Sequence, residues 1–286
     1  MSDARILDRG YRKYEGHRSG LRGSVRSLAW HTTRSILGLG RPARHKVFPI
    51  IVMVVAFVPS LAFLAIAILI GDLGDEVRPE YWEFFGFSFT AALLFTALVS
   101  PEAIVRDRRD GMYALYLSTP LTRPTYLAAK VAAVLGTLSI IVIGPAMLAF
   151  LGYTVQSMGP DGFASWMWVA ARIAVGGVCI GLVYTAVSLA AASLTDRRAF
   201  ASVAIILLML GASIAVSVMV DSAEMTSHLR LLDPLSTPLE LAARLFGDRT
   251  FEYEEVGSPM VVLANAVWFA TGAAIVAVRY RKLQAV

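Results

Sequence analysis

Two aspartates, Asp107 and Asp110, lie three residues apart in the stretch VRDRRDGMYALYLSTPLTR, and Gly111 follows them directly. On a helix this spacing places both carboxylates near one face, where they could ligate a divalent cation. A catalytic metal site needs further carboxylates, about one helical turn apart, to complete the ligand set and to supply a base. The residues that follow therefore decide whether this pair does metal chemistry.

The spacing is similar to the start of DxxDGxxAR, the metal-binding motif of membrane CDP-alcohol phosphotransferases, and Ala114 also matches. That motif continues AR-x8-G-x3-D-x3-D. Its Arg and Gly positions hold Leu115 and Pro124, and its two later Asp positions hold Ala128 and Ala132. A site lacking half of its carboxylates should bind a divalent metal poorly. We therefore expect a metal-dependent assay with CDP-lipids to be blank.

Other reactive signatures are missing from the sequence. It has no phosphate-cradling GxxxxGK followed by Ser or Thr, no GxSxG and no HExxH. Its long apolar runs hold almost no Asp, Glu or His, which disfavours a proton antiporter. Glu83 and Arg172 lie near the ends of runs, where long side chains reach the membrane surface. If ATP drives this protein, another chain must bind the ATP.

Composition predicts an all-α polytopic membrane protein. The chain is 57% hydrophobic and 16% charged, whereas soluble domains carry about 25% charged residues. Runs of about 20 apolar residues are long enough to span a membrane. The six predicted spans form one membrane domain, 47–286, and lie at about 47–70, 81–100, 125–152, 172–193, 200–220 and 259–279.

The first 46 residues form a basic arm with eleven Lys and Arg residues. Within it, LRGSVRSLAWHTTRSILGL has apolar residues at near-helical spacing, interrupted by Arg22, Arg26 and Arg34. This pattern favours an amphipathic helix lying on the inner leaflet, in contact with membrane lipids. The alternative is a mobile basic tail.

Basic residues also predict the orientation. With the N-terminus inside, the inner segments hold 21 Lys and Arg residues and the outer segments hold four, while Arg172 lies at a span end. Such a bias predicts that both termini lie in the cytoplasm. The membrane is then expected to be the inner (plasma) membrane of the cell. The net charge of +5 therefore reflects topology, and no nucleic-acid partner is expected.

The predicted extracytoplasmic loop, 221–258, is long and acidic and contains LLDPLSTPLELAARLFGD. Thr237 can cap a helix that has Pro238 at its first position and Glu240 in its first turn, and Gly247 can end it. This helix is too short to span a membrane, so we expect a surface or re-entrant helix.

The predicted cytoplasmic loop, 101–124, contains the opening stretch. Ser100 is a candidate cap, Pro101 fits the first helical position, and Glu102 suits the positive end of a helix dipole. A short charged helix would then run from there to Asp110, with Gly111 as its stop.

The apolar part of this loop, MYALYLS, would form the second helix of a pair at the cytoplasmic surface. We expect Tyr113 and Tyr116 to be exposed on it. Mixed charge with aromatic residues favours a protein interface over an anionic lipid surface, which would favour nearly pure Lys and Arg.

The segment GMYALYLSTPLTRPTYLAAK resembles the pattern ERExGTLELLLSxPVSRxxxxxxK of ABC-2 type transporter permeases. The chain departs from the pattern at Arg109, where an acid is usual, and at Met112-Tyr113-Ala114. The six-span plan, the interfacial helix and the outer helix also resemble this family. The matching positions are Arg108, Gly111, Leu115, Leu117, Ser118, Pro120, Arg123 and Lys130, with Asp107 and Thr122 as conservative replacements.

This resemblance implies a transport subunit that does not bind ATP itself and that most often serves in export. Two membrane domains, either two copies or a copy and a paralogue, would pair, and each would dock on a nucleotide-binding ATPase chain that carries the ATP and Mg²⁺. The loop after the second span would act as the coupling helix. The predicted ATPase contacts are Glu102, Arg106, Asp107, Arg108, Asp110, Gly111, Tyr113, Leu117, Pro120 and Arg123.

A membrane scaffold that anchors a cytoplasmic partner through the same loop, without transport, remains an alternative. Stimulation of ATPase activity by a transported substrate would distinguish the two.

Overall fold

A computed structural model describes residues 20–70 and 78–282. In these residues the chain forms helices and turns and no β-strand. The principal helices are α1 (Gly20–Ile36), α2 (Arg44–Ile70), α3 (Glu83–Phe87), α4 (Phe89–Arg109), α5 (Met112–Leu117), α6 (Arg123–Val155), α7 (Phe163–Ser193), α8 (Arg198–Ile206), α9 (Ala212–Ser217), α10 (Thr237–Phe246) and α11 (Ser258–Lys282).

Six helical segments among the described residues are long and apolar enough to cross a membrane, which confirms the predicted all-α polytopic class. The fifth is built from α8 and α9 together with the π-helical turns Leu207–Gly211 and Val218–Ser222. The six segments are His45–Leu69, Phe89–Arg109, Arg123–Val155, Phe163–Ser193, Arg198–Ser222 and Ser258–Lys282.

The second span differs from its prediction. Residues 81–88 contain the separate short helix α3, and α4 then continues without a break through Pro101 to Arg109. The predicted helix start at Ser100 is wrong. The Ser100 hydroxyl lies 2.7 Å from the Ser188 hydroxyl of α7 and does not cap a helix. Membrane helices tolerate an internal proline where packing on neighbouring helices compensates for the lost hydrogen bond.

Helix α7 is the centre of the bundle. It packs against α4, α6, α8, α10 and α11. It begins at Phe163, nine residues before the start of the predicted fourth span. Its first turns carry Trp166, whose ring lies 5.0 Å from that of Phe150, and the exposed Trp168. By contrast, α2 and the fifth span are mostly exposed. In the most apolar 18-residue stretch of each, only 22% and 17%, respectively, is buried in the bundle.

Small residues let α7 approach α6 and α11 closely. A methyl group on Gly177 or Gly181 would collide with Ile143 or Leu135 of α6. A methyl group on Gly272 of α11 would come within 2.7 Å of the Ala186 backbone. The GxxxG spacing in α7 thus coincides with close helix packing.

The predicted amphipathic helix of the N-terminal arm is confirmed as α1. Leu28, Thr32 and Ile36 are buried on its inner face, against α6 and α4. Arg22, Arg26 and Arg34 are exposed on its outer face. The part of the arm before Gly20 lies outside the described residues, as do the last residues, 283–286.

The predicted outer helix is also present, as α10. It packs against α7 and α11 and ends at Gly247, whose φ of 90° favours glycine. Its predicted cap is wrong, because the Thr237 hydroxyl donates a hydrogen bond to the Arg230 carbonyl at 3.1 Å. Glu240, in the first turn as predicted, accepts a hydrogen bond from Arg244.

Candidate partner-docking site

The docking segment, residues 101–124, leaves the bundle at the end of α4 and returns to it at the start of α6. Gly111 links α4 to α5 with a φ of 67°, in the left-handed region that glycine adopts most readily. It ends α4 as predicted. Thr122 and Thr125 form a capping box that starts α6, with the Thr122 amide donating to Thr125 Oγ1 at 2.8 Å. The segment therefore has defined turns at both ends.

Asp107 faces into the bundle. Its Oδ2 atom lies 2.6 Å from Lys130 Nζ of α6 and accepts a hydrogen bond from the Tyr126 hydroxyl at 2.9 Å. Lys130 in turn donates to Thr32 Oγ1 of α1 at 3.1 Å. Because Asp107 and Lys130 are both buried, this pair joins α1, α4 and α6 instead of meeting a partner chain.

Arg108 also faces inward. Its guanidinium donates hydrogen bonds to the carbonyl oxygens of Ala192, Ser193 and Thr195, at 2.9, 2.7 and 2.5 Å. These carbonyls lie at the end of α7, where backbone acceptors are unpaired and the helix dipole is negative. Arg108 therefore caps the central helix and fastens α4 to it.

Tyr113, predicted to be exposed, is only 7% exposed. That prediction is wrong, because the Tyr113 ring packs edge-on against the rings of Tyr126 and Tyr280, with centroids 5.2 and 5.6 Å away. Burial raises the pKa of the Tyr113 phenol, while nearby Arg123 opposes the shift. Tyr116 is half-buried, and burial, with the Asp107 charge, raises its pKa too. Both phenols thus remain neutral at physiological pH.

Glu102 is the centre of an ion-pair cluster. Its carboxylate lies 2.9 Å from Arg41, 3.1 Å from Arg106 and 2.6 Å from Arg198. These arginines belong to the loop before α2, to α4 and to the start of α8. Glu102, with a side chain only 9% exposed, thus ties three elements together.

Of the remaining predicted contact residues, some pack against the bundle and the others are exposed to solvent. Leu117 packs partly against the core, and Arg123 donates to the Arg281 carbonyl of α11 at 2.8 Å. Asp110, Gly111 and Pro120 are exposed, as is Arg106. The predicted set therefore contains both anchors that hold the segment and a smaller group of surface residues.

Sequence reasoning missed the most accessible apolar side chains of the segment. Met112 and Leu115 are 36% and 58% exposed and project from α5, which lies beyond the predicted spans. Their i, i+3 spacing places them on one face of the helix. Leu115 belonged to the resemblance to ABC-2 permeases, yet it was not among the predicted contacts. The i, i+3 spacing of two apolar residues, Met112 and Leu115, in a short segment outside the predicted spans was the signal available in the sequence.

The two aspartates of the metal-like motif have separate partners. Asp107 binds Lys130, whereas Asp110 pairs with Arg106 and Arg109 at 3.4 and 3.1 Å. The Lys130 ammonium group lies against the Asp107 carboxylate, in the position that a bound metal cation would need. Among residues 20–70 and 78–282, no group of three or more His, Cys, Asp or Glu side chains is placed to hold a metal ion.

Residues 78–278 match the family described as ABC-2 family transporter protein. The chain belongs to this family. The match extends from before α3 into the end of α11 and covers the whole docking segment. A search of curated proteins finds no match to this sequence.

Family membership makes the chain the membrane permease subunit of an ABC transporter. The structure also relates two positions of the ABC-2 permease motif that are distant in sequence. Asp107 and Lys130, near its two ends, form the buried ion pair. The motif thus includes residues that stabilise the fold of the docking segment, besides those exposed on it.

Proposed function

We propose that this permease exports cargo with energy from ATP hydrolysed on a separate ATPase chain, which docks on the exposed face of α5. The observation that carries the proposal is the contrast between the two faces of the docking segment. One face is fixed to the bundle by buried charged and aromatic residues, and the other presents Met112 and Leu115 to solvent.

The anchors make the segment suitable for transmitting force. Asp107 connects α4 to α6 and α1, and Arg108 connects α4 to the end of α7. A displacement of α5 by a partner would therefore be passed to several spans at once. Nucleotide binding can drive such a change only if the docked ATPase contacts two permease states differently.

The distribution of basic residues supports the proposed side of the membrane for the docking segment. The 21 Lys and Arg residues on the docking side of the six spans, against four on the other, favour a cytoplasmic docking segment and cytoplasmic termini. An ATPase in the cytoplasm would then meet α5 directly.

The sparse burial of α2 and of the fifth span supports a paired membrane domain. Both helices leave most of their apolar surface uncovered in one chain, and that surface is available to lipid and to a second permease copy or a paralogue. We infer a hydrophobic or amphipathic cargo that passes between the paired domains, because the spans carry few charged side chains outside the ion pairs described above.

The test is a co-purification. We expect Leu115→Glu to weaken capture of a co-expressed ATPase chain about tenfold or more, equivalent to at least about 1.4 kcal/mol. Leu232→Glu is the matched control, because Leu232 is 59% exposed and lies on the opposite side in the proposed topology. Equal capture by the wild type and Leu115→Glu would contradict docking on α5.

Transport direction needs a second readout. In inside-out membrane vesicles with the ATPase present, export predicts ATP-dependent accumulation of cargo inside the vesicles. ATP-stimulated release from preloaded vesicles would indicate import and contradict the proposal. ATPase activity that no candidate cargo stimulates would favour the scaffold alternative.

A further inference from the structure

The arginine cluster around Glu102 has more positive than negative charge. Its cavity, of about 320 Å³, is lined by four arginines and two carboxylates, Glu102 and Asp110. The four arginines are Arg41, Arg106, Arg109 and Arg198. We call this cavity the arginine pocket. Its volume lies within the range of about 300–1,000 Å³ that is typical of small-ligand sites.

The arginines retain capacity for another anion. Each guanidinium has five N–H donors in a planar fork. Among the described residues Arg198 makes one ion pair, with Glu102, and its side chain remains 54% exposed. Arg106 is 43% exposed. The largely buried Glu102 carboxylate holds these groups together, and Arg106 also pairs with Asp110 at 3.4 Å. These carboxylates do not use all of the guanidinium donors, and phosphate oxygens are well suited to the rest.

The position of the pocket indicates what kind of phosphate fits. It lies between the ends of α2, α4 and α8, because its lining includes His45, Glu102 and Arg198. From the pocket, α2 and α8 continue into the bundle and carry exposed apolar side chains. These are Val47, Ile50 and Ile51 on α2, and Phe200 and Val203 on α8.

We propose that the arginine pocket binds the phosphate group of an anionic phospholipid from the leaflet that borders it. The headgroup lies among Arg41, Arg106 and Arg198, and the acyl chains lie along the exposed faces of α2 and α8. A free phosphate ion would use the same arginines but not the apolar faces. An acidic peptide would likewise leave those faces uncovered.

Glu102 has a specific role in this site. In the absence of a lipid it offsets the repulsion among three guanidinium groups that share one small volume. When a phosphate binds, the arginines are already gathered, so less conformational entropy is lost. Glu102 is thus a positioning residue, and the arginines are the lipid contacts.

This site is distinct from the exposed face of α5, and lipid binding does not require an ATPase. It can therefore be tested on the permease alone. The full chain is reconstituted in nanodiscs of phosphatidylcholine containing a minor fraction of phosphatidylglycerol. Native mass spectrometry then counts the lipids of each class that remain bound on release from the disc.

We expect the wild type to retain phosphatidylglycerol in preference to phosphatidylcholine. The double variant Arg41→Gln/Arg198→Gln should lose this preference by about fivefold or more, since each basic side chain near a membrane surface contributes about that factor. The matched control is Arg22→Gln/Arg26→Gln, which removes the same charge from exposed positions of α1 and should lose clearly less of the preference, because these side chains do not line the pocket.

Three results would overturn the proposal. The first is that the wild type retains both lipids equally. The second is that the pocket variant and the control lose the preference for phosphatidylglycerol equally. The third is that inorganic phosphate saturates the site and the protein shows no preference between the two lipids. Should the double variant aggregate, Arg198→Gln and Arg198→Lys replace it. The Lys variant, which keeps the charge, should keep more of the preference than the Gln variant, and identical behaviour would count against the site.

Discussion

Lys130 Nζ lies 2.6 Å from Asp107 Oδ2, and this buried ion pair joins the third span to the base of the docking segment. It is surrounded by aromatic rings, with Lys130 Nζ 5.5 Å from the centre of the Tyr126 ring and 5.7 Å from that of Tyr116. Removing one partner of such a pair leaves a charge with little access to water.

We therefore predict that Asp107→Asn and Lys130→Met each lower the free energy of unfolding by about 3–5 kcal/mol. The double variant should lose less than the sum of the two, because neither charge is then left unpaired. Unfolding curves in detergent measure the four proteins of this cycle. Strictly additive losses would show that the two side chains do not act as a pair.

Arg108→Lys tests the cap on the central helix. An ammonium group cannot reach three carbonyls as the guanidinium does, so we expect a loss of about 1.5–3 kcal/mol in the free energy of unfolding. Arg109→Lys is the control, because the Arg109 side chain is 66% exposed. If both variants unfold at the same temperature as the wild type, Arg108 does not stabilise the end of α7.

Gly111→Ala tests the link between α4 and α5. A methyl group at Gly111 would meet no atom within 4 Å, so its cost comes from the backbone φ of 67° alone. We expect destabilisation of about 1–2 kcal/mol, with Gly111→Asn less affected.

Gly136→Ala is the comparison for that change. A methyl group there also meets nothing within 4 Å, but Gly136 lies inside α6, where alanine favours the helix by about 0.8–1 kcal/mol. In thermal unfolding we therefore expect Gly111→Ala to lower the melting temperature and Gly136→Ala to raise it. Destabilisation of similar size by both substitutions would contradict the explanation from backbone conformation.

The membrane orientation can be tested with single cysteines. In a Cys179→Ala background, which leaves no other cysteine, Ser118→Cys places a thiol on the docking segment and Phe251→Cys places one at a side chain that is 91% exposed. A membrane-impermeant maleimide added to intact cells should label the Phe251 position alone. Labelling of Ser118→Cys, but not Phe251→Cys, would reverse the topology.

Much of the fold follows from local patterns in the sequence. Apolar length predicts the six spans, and Gly247 ends α10 because a left-handed residue is required there. Gly111 ends α4 for the same reason. These features depend on residues close together in the chain, where spacing and conformational preference are informative.

The orientation of the docking segment could not be predicted in this way. Asp107 and Arg108 have the composition of surface residues, but α4 continues past Pro101 and turns both toward the bundle. Their partners are Lys130 and the carbonyls that follow α7, which are distant in sequence. The same applies to the arginine pocket, since Arg41, Arg106 and Arg198 come from three separate elements.

The cap that Arg108 places on α7 has a consequence for the synthesis of the protein. Its carbonyl partner at Ala192 lies 84 residues later in the chain, so the second span emerges from the ribosome long before that partner exists. During this interval we expect Arg108 to remain in contact with water, because burying an unpaired guanidinium group is costly. Asp107 likewise lacks its partner until Lys130 has been synthesised. We therefore expect α4 to reach its final packing only after α7 has been synthesised, and a nascent chain truncated before α7 would leave Arg108 without its carbonyl acceptors.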